Sequence, residues 1–138
     1  MPARDVHHNV VRNALIKDGW TITDDPLTLK WGGRNMFVDL AAERLIGAEK
    51  QGERIAVEIK SFVGVSELAD FEVALGQYCF YLTLLERIEP DRQLYLAVPY
   101  EVAEGLFSES ISQIVIEKYS ILLVSFDPIT ETILQWKT

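Results

Sequence analysis

Three residues in the first half of the chain have the types and the spacing for hydrolytic chemistry: Asp39, Glu58 and Lys60. In Ile55-Ala56-Val57-Glu58-Ile59-Lys60, apolar Ile55, Val57 and Ile59 share one face of a strand, which leaves Glu58 and Lys60 together on the other. Asp39 interrupts the otherwise apolar run Met36-Phe37-Val38-Asp39-Leu40-Ala41-Ala42. If the two strands form a hairpin with Asp39 opposite Glu58 or opposite Lys60, all three side chains stand on one sheet face. A one-residue slip sets Asp39 opposite Ile59 and separates them, so the constellation depends on register. Two carboxylates and an ammonium so gathered suit metal-assisted phosphodiester hydrolysis. Asp39 and Glu58 offer hard oxygen ligands to Mg²⁺, with Mn²⁺ as its substitute, and the Ile59 carbonyl is placed to add another. The cation acidifies water and neutralises phosphate charge, while Lys60 orients the attacking water or stabilises the pentacovalent transition state. Glu-x-Lys also occurs as a same-face ion pair on a solvated strand, and the pattern alone leaves both readings open.

These positions require particular elements around them. Ala3 to Lys17 carries Val6, Val10, Val11, Ala14 and Leu15 at helical spacing with Gly19 as a stop, which predicts an amphipathic first helix. Trp20–Thr23 and Leu27–Trp31 are short β-prone runs parted by Asp24-Asp25-Pro26, and Gly32-Gly33 permits the positive φ of a tight hairpin leading into Met36–Ala42. A polar loop from Gly47 to Gly52 leads to Arg54–Lys60 and completes an expected β-meander. Ser66 is the N-cap of the strongest helix, which runs to Glu86 with Leu68, Phe71, Leu75, Tyr78, Leu82 and Leu85 along one face. Gln77 and Tyr81, four residues apart, fall beside that stripe, where they either reach the sheet's polar face as supporting residues or mark an ordinary amphipathic boundary. Gln93–Val98 reads as a strand covered on both faces, Tyr100–Tyr119 as one or two helices interrupted near Ser108, and Ile121–Phe126 and Thr132–Trp136 as closing strands. The expectation is an α/β fold, a mixed sheet flanked by helices in the order αβββαβαββ.

Other reactive residues offer less. Ser61 and Ser66 flank a Gly64-containing loop after Lys60, within range of a phosphate. His7 and His8 are adjacent and diverge by roughly 100° on a helix, which favours surface or capping roles over a shared metal. Cys79 sits mid-helix among apolar residues with no base partner and reads as a buried structural thiol. Trp20, Trp31 and Trp136 border strands and suit core or edge packing, with Trp31 also able to stack on a base or a partner. Phosphate-loop, dinucleotide and nucleophile-elbow patterns are missing, which removes most support for nucleotide-driven chemistry and serine hydrolysis.

The 138 residues suit one domain spanning 1–138, and 49% hydrophobic with 25% charged residues excludes an intrinsically disordered chain. A single cysteine, no zinc-ligand spacing, no signal-peptide core and no long apolar run together predict a cytoplasmic protein with no membrane association. Thirteen basic residues against 21 acidic ones give a net charge of −8, which argues against coating DNA by bulk charge. The excess is not uniform. Residues 1–60 hold nine basic and nine acidic residues, whereas 61–138 hold four and twelve. Arg4, Arg12, Lys17, Lys30, Arg34, Arg44, Lys50 and Arg54 accompany Lys60 in the first half as material for a DNA-facing patch, and the second half offers an acidic surface to a partner.

Asp39, Val57-Glu58-Ile59-Lys60 and Gln77-x-x-x-Tyr81 resemble the PD-(D/E)xK nuclease superfamily with its restriction-endonuclease-like αβββαβ core. Over almost the whole chain, Ala14-Leu15-Ile16-Lys17-Asp18-Gly19-Trp20-Thr21-Ile22-Thr23, Asp39-Leu40-Ala41-Ala42-Glu43-Arg44, Val57-Glu58-Ile59-Lys60-Ser61-Phe62 and Ala74-Leu75-Gly76-Gln77-Tyr78 look like the XisH family. That family takes its name from an excision controlling factor for the fdxN element, a DNA segment removed from the chromosome of certain nitrogen-fixing photosynthetic bacteria. The resemblance implies that Asp39, Glu58 and Lys60 hold the acidic and basic motif positions, with Gln77 on a supporting helix. It also implies DNA as substrate, a separate site-specific recombinase and an XisI-like companion factor; self-association is left open. Two departures stand out: Val38 precedes Asp39 where the motif has proline, and the first helix region offers Asp5 rather than a glutamate as an additional ligand. The competing expectations are a DNA excision factor cleaving with Mg²⁺, and a catalytically silent module that regulates the recombinase by docking its acidic surface.

Overall fold

The computed structural model describes residues 4–46 and 51–137. Ala3, Lys50 and the start of the expected polar loop at Gly47 lie outside these residues. In order run α1 (His8–Lys17), β1 (Thr21–Asp24), β2 (Leu27–Trp31), β3 (Arg34–Val38), β4 (Leu40–Ile46), β5 (Gln51–Ile59), α2 (Glu67–Ile88), β6 (Gln93–Pro99), α3 (Tyr100–Glu104), a 3-10 turn (Leu106–Ser108), α4 (Ser110–Tyr119), β7 (Leu122–Asp127) and β8 (Thr132–Lys137). The α/β class with a mixed, helix-flanked sheet holds, but five strands separate α1 from α2 where the order αβββαβαββ has three.

The main sheet runs β1-β4-β5-β6-β7-β8, with β5–β6 and β6–β7 parallel and the other pairs antiparallel. Parallel neighbours need long crossovers, which α2 supplies from β5 to β6, and α3 with α4 from β6 to β7. The expected meander does not form. β1 pairs with β4, and β2 pairs with β3 in a separate two-stranded sheet. The apolar run Met36–Ala42, expected as one strand, splits at Asp39 because that residue's polar groups turn from the ladder to β5, as described below.

Alternation along the central strands sorts their side chains into two cores. Ile55, Val57 and Ile59 join Val11 and Leu15 of α1, Trp20 and Phe126 on one side. Ala56, Leu94, Leu96 and Val98 face α2 on the other. Glu58 shares the parity of Ala56 and therefore enters the α2 side. Helix α2 starts as expected: the Ser66 Oγ accepts the Ala69 N–H at 3.2 Å. Its buried stripe is rotated from the one expected and comprises Phe71, Ala74, Tyr78, Tyr81 and Leu85, while Leu68 is exposed. This set steps by three and four residues and follows the true helical period, whereas the strict sevenfold spacing of Leu68, Leu75 and Leu82 drifts off the face. Tyr81 is thus part of the stripe rather than beside it. Among the described residues no helix is long and apolar enough to cross a membrane.

Candidate functional site

The β4–β5 register pairs Leu40 with Val57, so the next position sets Asp39 opposite Glu58, one of the two registers that place the polar residues on one face. Here the backbone ladder gives way to reciprocal side-chain bonds. Asp39 Oδ2 accepts the Ile59 N–H at 2.8 Å, and Glu58 Oε1 accepts the Asp39 N–H at 3.3 Å. Each carboxylate is thereby fixed by the backbone of the other's strand. Lys60 follows in extended register, its N–H donating to the Ala97 carbonyl at 3.0 Å, which carries its side chain to the side of Glu58.

Glu58 is 7% exposed, and Asp39 is half-buried. Loss of hydration raises both above the ordinary carboxylate range. Glu58 is pushed furthest, to about 9, first by burial and then by the adjacent Asp39 charge, with Lys60 a minor opposing influence. Each carboxyl group perturbs the other's titration. Tyr81, 7% exposed, is pushed up to about 12 by burial and by both carboxylates and stays a phenol.

A cavity of about 150 Å³ collects these groups: Asp39, Glu58 and Lys60 from the sheet, and Gln77 and Tyr81 from α2, together with Arg4, Asp5 and Phe37. All five residues singled out from the sequence therefore line one space. Asp5 belongs to the same cavity but is already engaged, accepting the Ser61 N–H at 3.0 Å, the His7 N–H at 2.9 Å and the Ser61 hydroxyl. It ties the entry to α1 onto the segment after Lys60, and its charge adds to the rise at Asp39.

Several expectations are corrected. Ser61 is buried and bonded to Asp5 and His7, and Ser66 caps α2, so neither is presented to a phosphate. His8 is not a surface residue: it is 4% exposed and its Nε2 lies 2.7 Å from Asp25 Oδ1. Cys79 is only half-buried. The first-half basic residues do not form a single patch. Arg44 stacks over Trp20 at 4.5 Å and pairs with Asp18 and Glu53, and Arg54 pairs with Glu89 and Asp91. Arg12 and Arg4 converge on Asp25. The Asp25 cluster and Phe37 carry no short-range signal, since His8 and Asp25 stand 17 residues apart.

The donor set suits a hard divalent cation. Two neighbouring carboxyl groups that a cation would hold ionised line one cavity, and the Ile59 carbonyl belongs to the same strand end. Among the described residues no group of three or more His, Cys, Asp or Glu is gathered to hold a metal ion.

A family model described as XisH protein matches residues 1–134. A crystal structure of an XisH family protein from Nostoc punctiforme PCC 73102 is 42% identical, with a TM-score of 0.87 over 97% of this chain and 100% of that one. The crystal structure of an fdxN element excision controlling factor protein from Anabaena variabilis is 44% identical, with a TM-score of 0.88 over 98% of this chain and 100% of that one. No curated protein matches. A match that spans both cores and every residue of the cavity places this chain in the XisH family.

Proposed function

We propose that this chain is a DNA excision controlling factor of restriction-endonuclease-like fold whose PD-(D/E)xK-type site cleaves a phosphodiester with Mg²⁺, or Mn²⁺ in its place. The observation that carries this reading is the reciprocal anchoring of the Asp39 and Glu58 carboxyl groups on each other's strand, with Lys60 in the same cavity. Asp39 and Glu58 would hold the cation. That ion supplies charge neutralisation at the phosphate and a more acidic water. Lys60 orients the attacking water or offsets charge on the pentacovalent phosphorus. Tyr81, which stays a phenol, and Gln77 line the same cavity and bring hydrogen-bond donors to the carboxylates' side of α2. Excision would then proceed beside a site-specific recombinase in the cytoplasm.

The test is incubation of the pure protein with supercoiled, branched and single-stranded DNA in Mg²⁺ or Mn²⁺. Cleavage is expected, and Glu58→Gln and Asp39→Asn each lower its rate by roughly 10²–10³-fold, the loss typical of one electrostatic stabiliser. Cleavage that persists unchanged in both variants removes the assignment.

A second reading is a silent module that reaches the recombinase through an XisI-like companion. An apolar groove of about 220 Å³ between α2 and α4 favours it, lined by Leu68, Phe71, Leu75, Ile111 and Val115.

A further inference from the structure

The carboxylate site leaves the β2–β3 hairpin unexplained. Its register is Leu27↔Val38, Thr28↔Phe37, Leu29↔Met36, Lys30↔Asn35 and Trp31↔Arg34. Directly opposed residues share a face, so Leu27, Leu29 and Val38 turn to the core and Trp31 and Arg34 continue that face beyond it at the tip, whereas Thr28, Lys30, Asn35 and Phe37 turn the other way. Phe37 lines the carboxylate cavity. Lys30 and Asn35 lie two residues further along that face, roughly 7 Å at strand rise. At the tip, Gly32 and Gly33 adopt φ of +58 and +79, and nothing lies within 4 Å of where their Cβ atoms would be, so the turn projects into open space. Trp31 is 54% exposed there, and Lys30 and Arg34 are exposed as well.

The two cations of this arm are unneutralised. Arg4, Arg12, Arg44, Arg54 and Arg92 all pair with carboxylates, whereas among the described residues no carboxylate lies in ion-pair reach of Lys30 or Arg34. On a chain of net charge −8, unneutralised cations beside a bare indole are the means of holding phosphate and base together. We infer that the β2–β3 hairpin is a single-stranded-DNA-binding arm: Trp31 stacks on an unpaired base with Arg34 on the same face holding the adjoining phosphate, and the strand rounds the tip to Lys30, which holds the next phosphate on the face that leads by Asn35 and Phe37 to the cavity. The inference rests on the reading of that cavity as a DNA site and names the element that delivers the strand.

Binding is measured by fluorescence anisotropy on the full chain with a labelled single-stranded oligonucleotide in EDTA, where cleavage plays no part. Removing both charges in Lys30→Ala/Arg34→Ala is expected to flatten the slope of log affinity against log salt by roughly 1.4, two single-strand phosphate contacts. Trp31→Ala weakens binding roughly ten-fold, Trp31→Phe keeps most of the affinity, and a duplex of equal length binds more weakly and does not respond to Trp31→Ala. Arg87→Ala, on the exposed side of α2, changes nothing. Circular dichroism confirms that each variant is folded. An unchanged affinity and salt slope in the double variant, duplex binding as tight as single-strand binding, or no single-strand binding by the wild type at low salt overturns the arm. Glu58→Gln retains strand binding while losing cleavage, so failure of the arm and failure of the cleavage site give different results.

Discussion

Burial and the Asp39 charge keep a proton on Glu58 at neutral pH, whereas the unfolded chain releases it near the ordinary glutamate value of 4.5. Between there and about 9 the folded protein binds more protons than the unfolded one, so stability declines as pH rises through that window and levels off above it. Thermal unfolding from pH 5 to 9 is therefore expected to show a falling midpoint in the wild type and a flatter profile in Glu58→Gln, which gains most at the alkaline end. Parallel profiles would place the proton elsewhere. Asp39, Glu58 and Lys60 were legible in the sequence because strand parity is a local rule and Asp39 broke an apolar run. The bonds of Asp5 to Ser61 and of His8 to Asp25 were not, because those partners lie 56 and 17 residues away and only the folded chain brings them together.

Individual strands and helices were readable where the apolar period was strong, as in β6 and α2, but pairing was not. The meander failed because β1 finds β4 across the intervening hairpin, a non-local choice that no turn residue announces. Helix α2 is locked to that sheet by one group: Tyr78, 1% exposed, donates its hydroxyl to the Leu94 carbonyl at 2.9 Å and accepts the Leu122 N–H at 3.1 Å. A single phenol thus spans a helix and two parallel strands. Tyr78→Phe leaves both backbone groups short of a partner in a dry place and is expected to lower unfolding free energy by roughly 1–3 kcal/mol. Urea denaturation measures this. A loss within error would mean that the strands satisfy these groups alone.

Charge divides the molecule as the sequence does, with cations concentrated in residues 1–60 and the acidic excess after them, but pairing absorbs four of those cations, Arg4, Arg12, Arg44 and Arg54. What remains to attract phosphate is local, and what remains to attract a basic partner is broad. If the groove between α2 and α4 docks an XisI-like companion, the two proteins co-elute on size exclusion with an association that weakens as salt rises, and Ile111→Glu at the groove edge abolishes it without affecting DNA binding. No co-elution at low or moderate salt removes that reading.

Asp39 also has a mechanical place at this scale. It is the residue at which the chain leaves the hairpin at Val38 and enters the main sheet at Leu40, and its carboxylate is anchored to the Ile59 amide. On that side it is a fulcrum. A pull on the hairpin reaches half of the carboxylate pair through a single peptide unit. By the reciprocity of linked equilibria, whatever grips the pair must also stiffen the lever that leads to it.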